Sequence, residues 1–290
     1  NLVCIPCDRH EMLGPAISAF FLNIPVAHFF GGETTYGSQD ETTRHILTKI
    51  SSYHFVTHQI HKKRVIQMGE NKKNVFLVGN MTIDNIINTN LFRLSQIKKK
   101  IKFFEKRKNI LVTFHPITNV PSETKKQFKG LLIALNKFKN VNIIFTKPNS
   151  DHGSSYIIKM IKNFIKNNKN ANLYDSLGHR LYYSVLKNID CVIGNSSSAL
   201  SEAPYLGAVS INVGDRQKSR LQPGGVFNIK ANSKLIEKKL KFVLQKKRKL
   251  QIHDKDYLKK GATKKIVKIL KNINLDKVTI KKFSDLKFKL

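Results

Sequence analysis

The chain has 290 residues, 41% of them hydrophobic, with 52 lysines and arginines against 19 aspartates and glutamates, a formal charge of +33. That length accommodates two modest domains, each with its own core, and no apolar run approaches the roughly 20 residues that cross a bilayer. The charge alone would suit nucleic acid. It is mostly lysine, however, scattered over KKK at 98–100, KNNKN at 166–170 and LQKKRKL at 244–250. No RNP-like aromatic signature, recognition helix or zinc finger organises it, so a solvated basic surface is expected, with no nucleic acid and no membrane as partner.

The opening NLVCIPCDRHEM lacks the basic region and small-residue cleavage site of a signal peptide and reads as a strand already under way. Cys4 and Cys7 form a lone C-x-x-C among three cysteines. A zinc site needs about four ligands, so core cysteines in a reducing cytoplasm are expected.

The predicted elements alternate in chain order. LVCIP is a strand, HEMLGPAISAFFLN a helix, IPVAHFF a strand, RHILTKISSYH a helix, FVTH a strand, HQIHKKRVIQMG a helix and VFLVGN a strand. A charged connector with some helical periodicity runs from Leu91 to Lys108. A second series follows: NILVTFHP, VNIIFTKPN, ANLYD, DCVIGNSS and AVSINVG as strands, with QFKGLLIALNKF, YIIKMIKNFIKNN, LYYSVLKNI and LSEAPYLG as helices. From Ser233 the chain is lysine-rich and expected to be helical. Short apolar strands separated by helices predict parallel sheets covered on both faces. The expected fold class is α/β, with two doubly wound, Rossmann-like domains: residues 1–106, and residues 107–290 carrying the lysine-rich tail.

Ligands of such sheets bind beyond the carboxyl ends of the strands, and there this chain places Asp8-Arg9, His28 through Glu33, His115-Pro116, Pro148 through Asp151, Gly194 through Ser198 and Gly214 through Gln217. In GNSSSALSEAP a strand ends in glycine, hydroxyl residues follow and a helix begins, an arrangement suited to phosphate. Ser196 or Ser197 would also serve as N-cap. Glu202 could accept both hydroxyls of a ribose, or lie on the surface. No G-x-G-x-x-G or P-loop is present, which disfavours a redox dinucleotide or kinase-type site.

The stretch HFFGGETTYGSQDETTRH is unusual in so basic a chain. Asp8, Glu33 and Asp40 fall on strand ends or the loops beyond, where acid–base chemistry at a C–H bond needs carboxylates. Arg44 and His45 could hold one of them ionised. The alternatives are that Asp40 or Glu41 caps a helix and that His28 is satisfied within the core.

Taken together these residues resemble the UDP-N-acetylglucosamine 2-epimerases, in the hydrolysing, sialic-acid-pathway branch. The matching stretches are CDRHEMLGPAISAFFLNIPVAHFFGGETTYGSQDETTRHILTKISSYHF, FLVGNMTIDNI, ILVTFHPIT, KPNSDHGS and VIGNSSSALSEAPYLGAVSINVGDRQKSR, from about Leu2 to Ile229. The resemblance implies a GT-B-like fold with the nucleotide on the C-terminal domain, and a first domain that here lacks its opening strand and glycine-, threonine- and arginine-containing loop. Asp8, Glu33 and Asp40 match carboxylates that move the C2 proton and hydrate the intermediate, and His115 matches a histidine near the departing diphosphate. Arg9, Asn149, Ser196, Ser197 and Arg216 resemble residues around UDP, and Glu202 the ribose-binding acid. The implied product is N-acetylmannosamine, formed through a glycal by a cytoplasmic homo-oligomer that needs no metal or redox cofactor. A sibling reaction uses UDP-N,N'-diacetylbacillosamine, and a GT-B glycosyltransferase is the alternative of another class. Two departures stand out: Phe30 occupies a position that is glutamate in some relatives, and Cys7 replaces a glycine before the Asp-Arg pair.

Overall fold

A computed structural model describes residues 1–245, 252–275 and 280–286. The chain divides into two compact units, the first made of Asn1–Thr35, Gln39–Asn85 and Lys255–Leu290 and the second of Tyr36–Ser38 and Ile86–Asp254.

The first unit holds a parallel sheet of β1 (Val3–Ile5), β2 (Val26–Phe29), β3 (Tyr53–Val56) and β4 (Val75–Leu77), in that spatial order. The crossovers are α1 (Leu13–Phe21), α2 (Asp40–Ile50) and α3 (Gln59–Gln67). Successive strand residues point to opposite faces, so Val26 joins Ile5, Ala16, Ala19 and Leu47 while Ala27 and Phe29 join Tyr53, Phe55 and Val78. Burial of both faces explains why these strands are continuous apolar runs rather than alternating ones.

The second unit is a six-stranded parallel sheet of β5 (Asn109–Thr113), β6 (Asn142–Thr146), β7 (Ala171–Tyr174), β8 (Cys191–Gly194), β9 (Ser210–Val213) and β10 (Val226–Ile229). Its order is β10-β9-β8-β5-β6-β7. The chain winds outward from β5 to β7, then returns to lay β8 beside β5, creating a topological switch point between them. Phe128, Leu131, Ile143, Phe145, Ile193 and Leu240 fill the core around it. Burying each such side chain contributes about 1.5–3 kcal/mol.

Several sequence expectations change in detail. Ser51–His54 were assigned to a helix, but the helix ends at Ile50 and Tyr53 and His54 begin β3. Aromatic and β-branched content in YHFV favours the pleated sheet. β10 and the helix Met81–Asn88 were not anticipated; β10 is a partly exposed edge strand with little apolar signal. The charged connector contains a real helix, Leu94–Lys100. Of the basic run 244–250, residues 246–250 lie outside the described residues.

The division also departs from a boundary at residue 106. The Asp84 carboxylate accepts hydrogen bonds from the backbone N–H of Gly261 (2.6 Å) and Thr263 (2.7 Å), capping the helix Ala262–Asn272. Ile266 of that helix packs into the first sheet's core. The connector goes the other way, its Phe92 N–H donating to Ser184 Oγ at 2.8 Å. The cysteines also differ from expectation: Cys191 is buried, but Cys4 is exposed on the edge strand β1 and Cys7 is half-buried.

Candidate active site

In the first unit the polar residues gather at the carboxyl ends of β1 and β2. After β2 the chain turns through Phe30 at φ 65° and Gly32 at φ 77°. Positive φ is strained for a bulky residue, and glycine relieves the second position. A Cβ on Gly32 would lie 2.3 Å from the His61 carbonyl oxygen, so the turn sits directly on α3. This brings the Glu33 side chain inside, with 2% of the residue accessible. Thr57 Oγ1 donates to Glu33 Oε1 at 3.3 Å. A hydroxyl has one proton, so His61 Nδ1, 2.7 Å from Thr57 Oγ1, is the donor in that second contact.

Arg44, on α2, is completely buried and organises the cluster. Its Nε donates to Asp8 Oδ2 at 3.0 Å, and its Nη2 donates to the same oxygen and to Thr35 Oγ1. Nη1 donates to the Glu33 carbonyl at 3.0 Å and to Glu41 Oε2 at 2.5 Å. A buried guanidinium is tolerable only with such pairing. Glu41 also accepts from the Thr35 N–H. Sequence reading placed Glu41 only as a possible cap. Its spacing of three residues before Arg44 on one helix was the available signal. Asp40 is half-buried as the first residue of α2, one position after the cap Gln39. His45 is exposed, 3.5 Å from Glu41.

His28 is fully buried in β2, and its Nε2 has no hydrogen-bond partner among the described residues. Its Nδ1 lies 3.5 Å from Thr48 Oγ1, so the core histidine raised as an alternative is partly satisfied. Burial, helped by the neighbouring His54, pushes its pKa down to about 3, so the ring is neutral. Arg9 turns to Glu11, with which it pairs at 2.7 Å.

In the second unit the switch point brings His115 and Asn195 together. Asn195 Oδ1 accepts from the His115 N–H at 2.6 Å while Nδ2 donates to the His115 carbonyl at 2.9 Å. A Cβ on Gly194 would lie 1.9 Å from the Thr113 carbonyl, so glycine alone permits this approach of β8 to β5. The His115 ring accepts at Nδ1 from the Asn149 backbone N–H at 3.1 Å. A neutral imidazole then carries its proton on Nε2, as a donor. Arg216 was expected beside UDP; it is buried, with Nε on the Pro116 carbonyl (3.1 Å) and Nη1 on the Asn195 carbonyl (3.3 Å), and so clamps the two loops.

A cavity of about 450 Å³ opens at the carboxyl ends of β5, β6, β7 and β8, lined by Thr113, Tyr182, Ser196, Ser197, Ser198 and Glu202 among others. Its size falls in the range of small-molecule sites. The helix expected after GNSSS is a 3₁₀ turn at Ser197–Ala199 and a short helix at Glu202–Tyr205. The loop thus presents hydroxyls and short-turn N–H groups rather than a long helix dipole, with Ser196 as the cap of the turn. Asn149 lies beside His115, its Nδ2 donating to Asp151. A larger cavity in the first unit, about 620 Å³, is lined by Phe20, Phe21, Lys49, Lys281 and Phe283. It borders the residues that precede β2 and β3, away from these chemical groups.

Two parallel α/β units with polar loops at their strand ends make this a GT-B-like α/β protein of two Rossmann-like domains. The chain belongs to the UDP-N-acetylglucosamine 2-epimerase family, whose sequence pattern matches residues 1–271. It is 37% identical over 294 residues to GDP/UDP-N,N'-diacetylbacillosamine 2-epimerase (hydrolyzing) of Campylobacter jejuni, covering 99% of this chain and 75% of that protein. It is 34% identical to polysialic acid biosynthesis protein P7 of Escherichia coli, covering 94% of this chain and 70% of the relative. Its fold matches the crystal structure of UDP-GlcNAc 2-epimerase from Neisseria meningitidis bound to UDP-GlcNAc, with a TM-score of 0.73 at 18% identity, over 94% of this chain and 76% of the other.

Proposed function

We propose that the protein is a hydrolysing UDP-N-acetylglucosamine 2-epimerase, converting UDP-N-acetylglucosamine and water to N-acetylmannosamine and UDP for sialic-type acid synthesis. The observation that carries this reading is that buried Arg44 gathers the Asp8 and Glu41 carboxylates and the loop carbonyl of Glu33 at the strand ends, in a chain of this family. Such a cluster suits removal and return of a proton at carbon.

In this reading a carboxylate among Asp8, Glu33 and Asp40 takes the C2 proton. The C–H electrons form the C1=C2 bond of a glycal, and the C1–O bond to the diphosphate breaks with its electron pair leaving on UDP. The Nε2–H of His115 and the hydroxyls of Ser196 and Ser197 meet the charge that develops there. Water then gives its oxygen to C1, and a proton returns to C2 from the opposite face. Glu202 holds the ribose. Asn149 supports His115, and Arg216 fixes the loops beside the UDP site.

UDP-N,N'-diacetylbacillosamine is the second reading, favoured by the identity to the Campylobacter jejuni relative. Incubating the protein with each UDP-sugar, with no acceptor present, and following UDP and free sugar by NMR separates the two. UDP release from neither sugar overturns the hydrolysing-epimerase reading, and release only with an added acceptor points to a glycosyltransferase.

A further inference from the structure

The side-chain hydroxyls of Tyr182, Ser198 and Ser196 form a continuous row along the wall of the second unit's cavity, beside a pair of threonine hydroxyls at two strand ends. Thr146 Oγ1, at the end of β6, lies 2.6 Å from Thr113 Oγ1 at the end of β5. Tyr182 comes from the helix Gly178–Asn188. Tyr182 lies 2.5 Å from Ser198 Oγ, and Ser198 Oγ lies 3.1 Å from Ser196 Oγ. All five residues line the cavity.

We propose that Tyr182 is a positioning residue for the phosphates of the bound nucleotide, acting through this row of hydroxyls on Ser196. The inference rests on the nucleotide reading of the cavity given above.

Each hydroxyl has one proton to give. Three hydroxyls joined by two links use two protons, so one O–H remains at one end of the row. If the row runs toward Ser196, that serine accepts from Ser198 Oγ and, at 3.4 Å, from the Ser198 N–H. Its own proton then points to the ligand. If it runs toward Tyr182, the Ser196 proton is consumed within the row. An anion beside Ser196 selects the first direction, and each link polarises the next. Tyr182 stands at the far end of the row and gives the proton that sets this direction. Its burial, reinforced by the charge of Glu202, pushes the phenol pKa up, so the hydroxyl stays protonated and able to relay. Glu202 is itself held by Ser201 Oγ at 2.5 Å.

A tyrosine that merely filled space would be replaced by phenylalanine at equal cost to every ligand. Tyr182→Phe keeps the ring and removes the hydroxyl that donates toward Ser198 and Ser196. Binding of UDP and of uridine to the protein is measured by NMR titration or calorimetry, in wild type, Tyr182→Phe and Ser198→Ala. The expected result is a rise of about 3- to 10-fold in the Kd for UDP in both variants, with the Kd for uridine unchanged. Ser198→Ala breaks the row at the next link without touching the buried ring, so it carries the test if Tyr182→Phe folds poorly. Unchanged UDP affinity in the variants overturns the proposal, as does equal weakening of UDP and uridine. Wild-type protein that binds no UDP overturns the nucleotide reading itself, and this proposal with it.

Discussion

The guanidinium of Arg44 holds the carboxylate of Asp8, 36 residues away in sequence, through both Nε and Nη2, with no accessible surface of its own. Its remaining nitrogen ties the loop carbonyl of Glu33 and the carboxylate of Glu41 into the same knot. One cation thus fixes three segments at the carboxyl ends of β1 and β2. Replacing it by methionine removes the guanidinium that both carboxylates share. Breaking a buried pair costs about 3–5 kcal/mol, and the low end applies because Asp8 and Glu41 keep 19% and 15% of their side chains accessible. Chemical denaturation should show Arg44→Met losing about 3 kcal/mol; a loss under about 1 kcal/mol would mean that the knot is held by other contacts.

Thr57 presents its hydroxyl to buried Glu33 and is backed by His61. Thr57→Val keeps the shape and removes the donor. In the proposed reaction its kcat for UDP release should fall about tenfold, a loss of roughly 1.4 kcal/mol, with little change in KM. Thr57→Ser should restore most of it. Equal kcat in wild type and the valine variant would show that Glu33 needs no such support.

Asn195 spends its whole side-chain amide on the backbone of His115. Asn195→Leu removes both hydrogen bonds and leaves the His115 N–H and carbonyl without that partner. A stability loss of about 2 kcal/mol is expected, together with weaker UDP binding. Wild-type affinity in a folded Asn195→Leu protein would argue that the His115 loop does not meet the nucleotide.

Acid sensitivity should begin well above the carboxylate range. The folded-state pKa of His28 is depressed from 6.5 to about 3, through burial, and that of His54 is lowered by the same cause. Between these values the unfolded chain binds protons that the folded chain does not, so stability is full above about pH 6.5 and declines as pH falls. From pH 6.5 to pH 5 His28 alone should cost about 2 kcal/mol. Glu70, lowered from 4.5 to about 2 against burial by its bonds to His54, Lys281 and Lys49, acts in a separate and more acidic window. Its contribution is present above pH 4.5 and is lost as pH falls toward 2. Thermal unfolding at pH 7, 6 and 5 should therefore show a falling Tm, with a shallower fall in His28→Phe. The same slope in both proteins would count against His28 as a source.

The alternation of apolar runs and helical periodicity was enough to read nearly every strand from Val3 to Val213, because burial of a parallel sheet on both faces writes itself into consecutive residues. The family resemblance was equally legible, since GGETT…DETTRH and GNSSSALSEAP lie in single stretches. β10 escaped because an edge strand buries too little to carry a pattern. The grouping of helix Ala262–Asn272 with the first sheet escaped because its anchor, Asp84, lies 177 residues before Gly261.

What the sequence by itself determined is thus the order of elements and the supply of acids, hydroxyls and histidines at the strand ends, all properties of neighbouring residues. Only the tertiary structure decided which of them meet: Arg44 with Asp8 and Glu41, Arg216 with the Pro116 and Asn195 carbonyls, and Tyr182 with Ser198. Local periodicity records how much of a segment is buried. Hydrogen bonds and ion pairs depend on distances of about 3 Å between segments far apart in the chain, and those distances exist only once the sheets have closed.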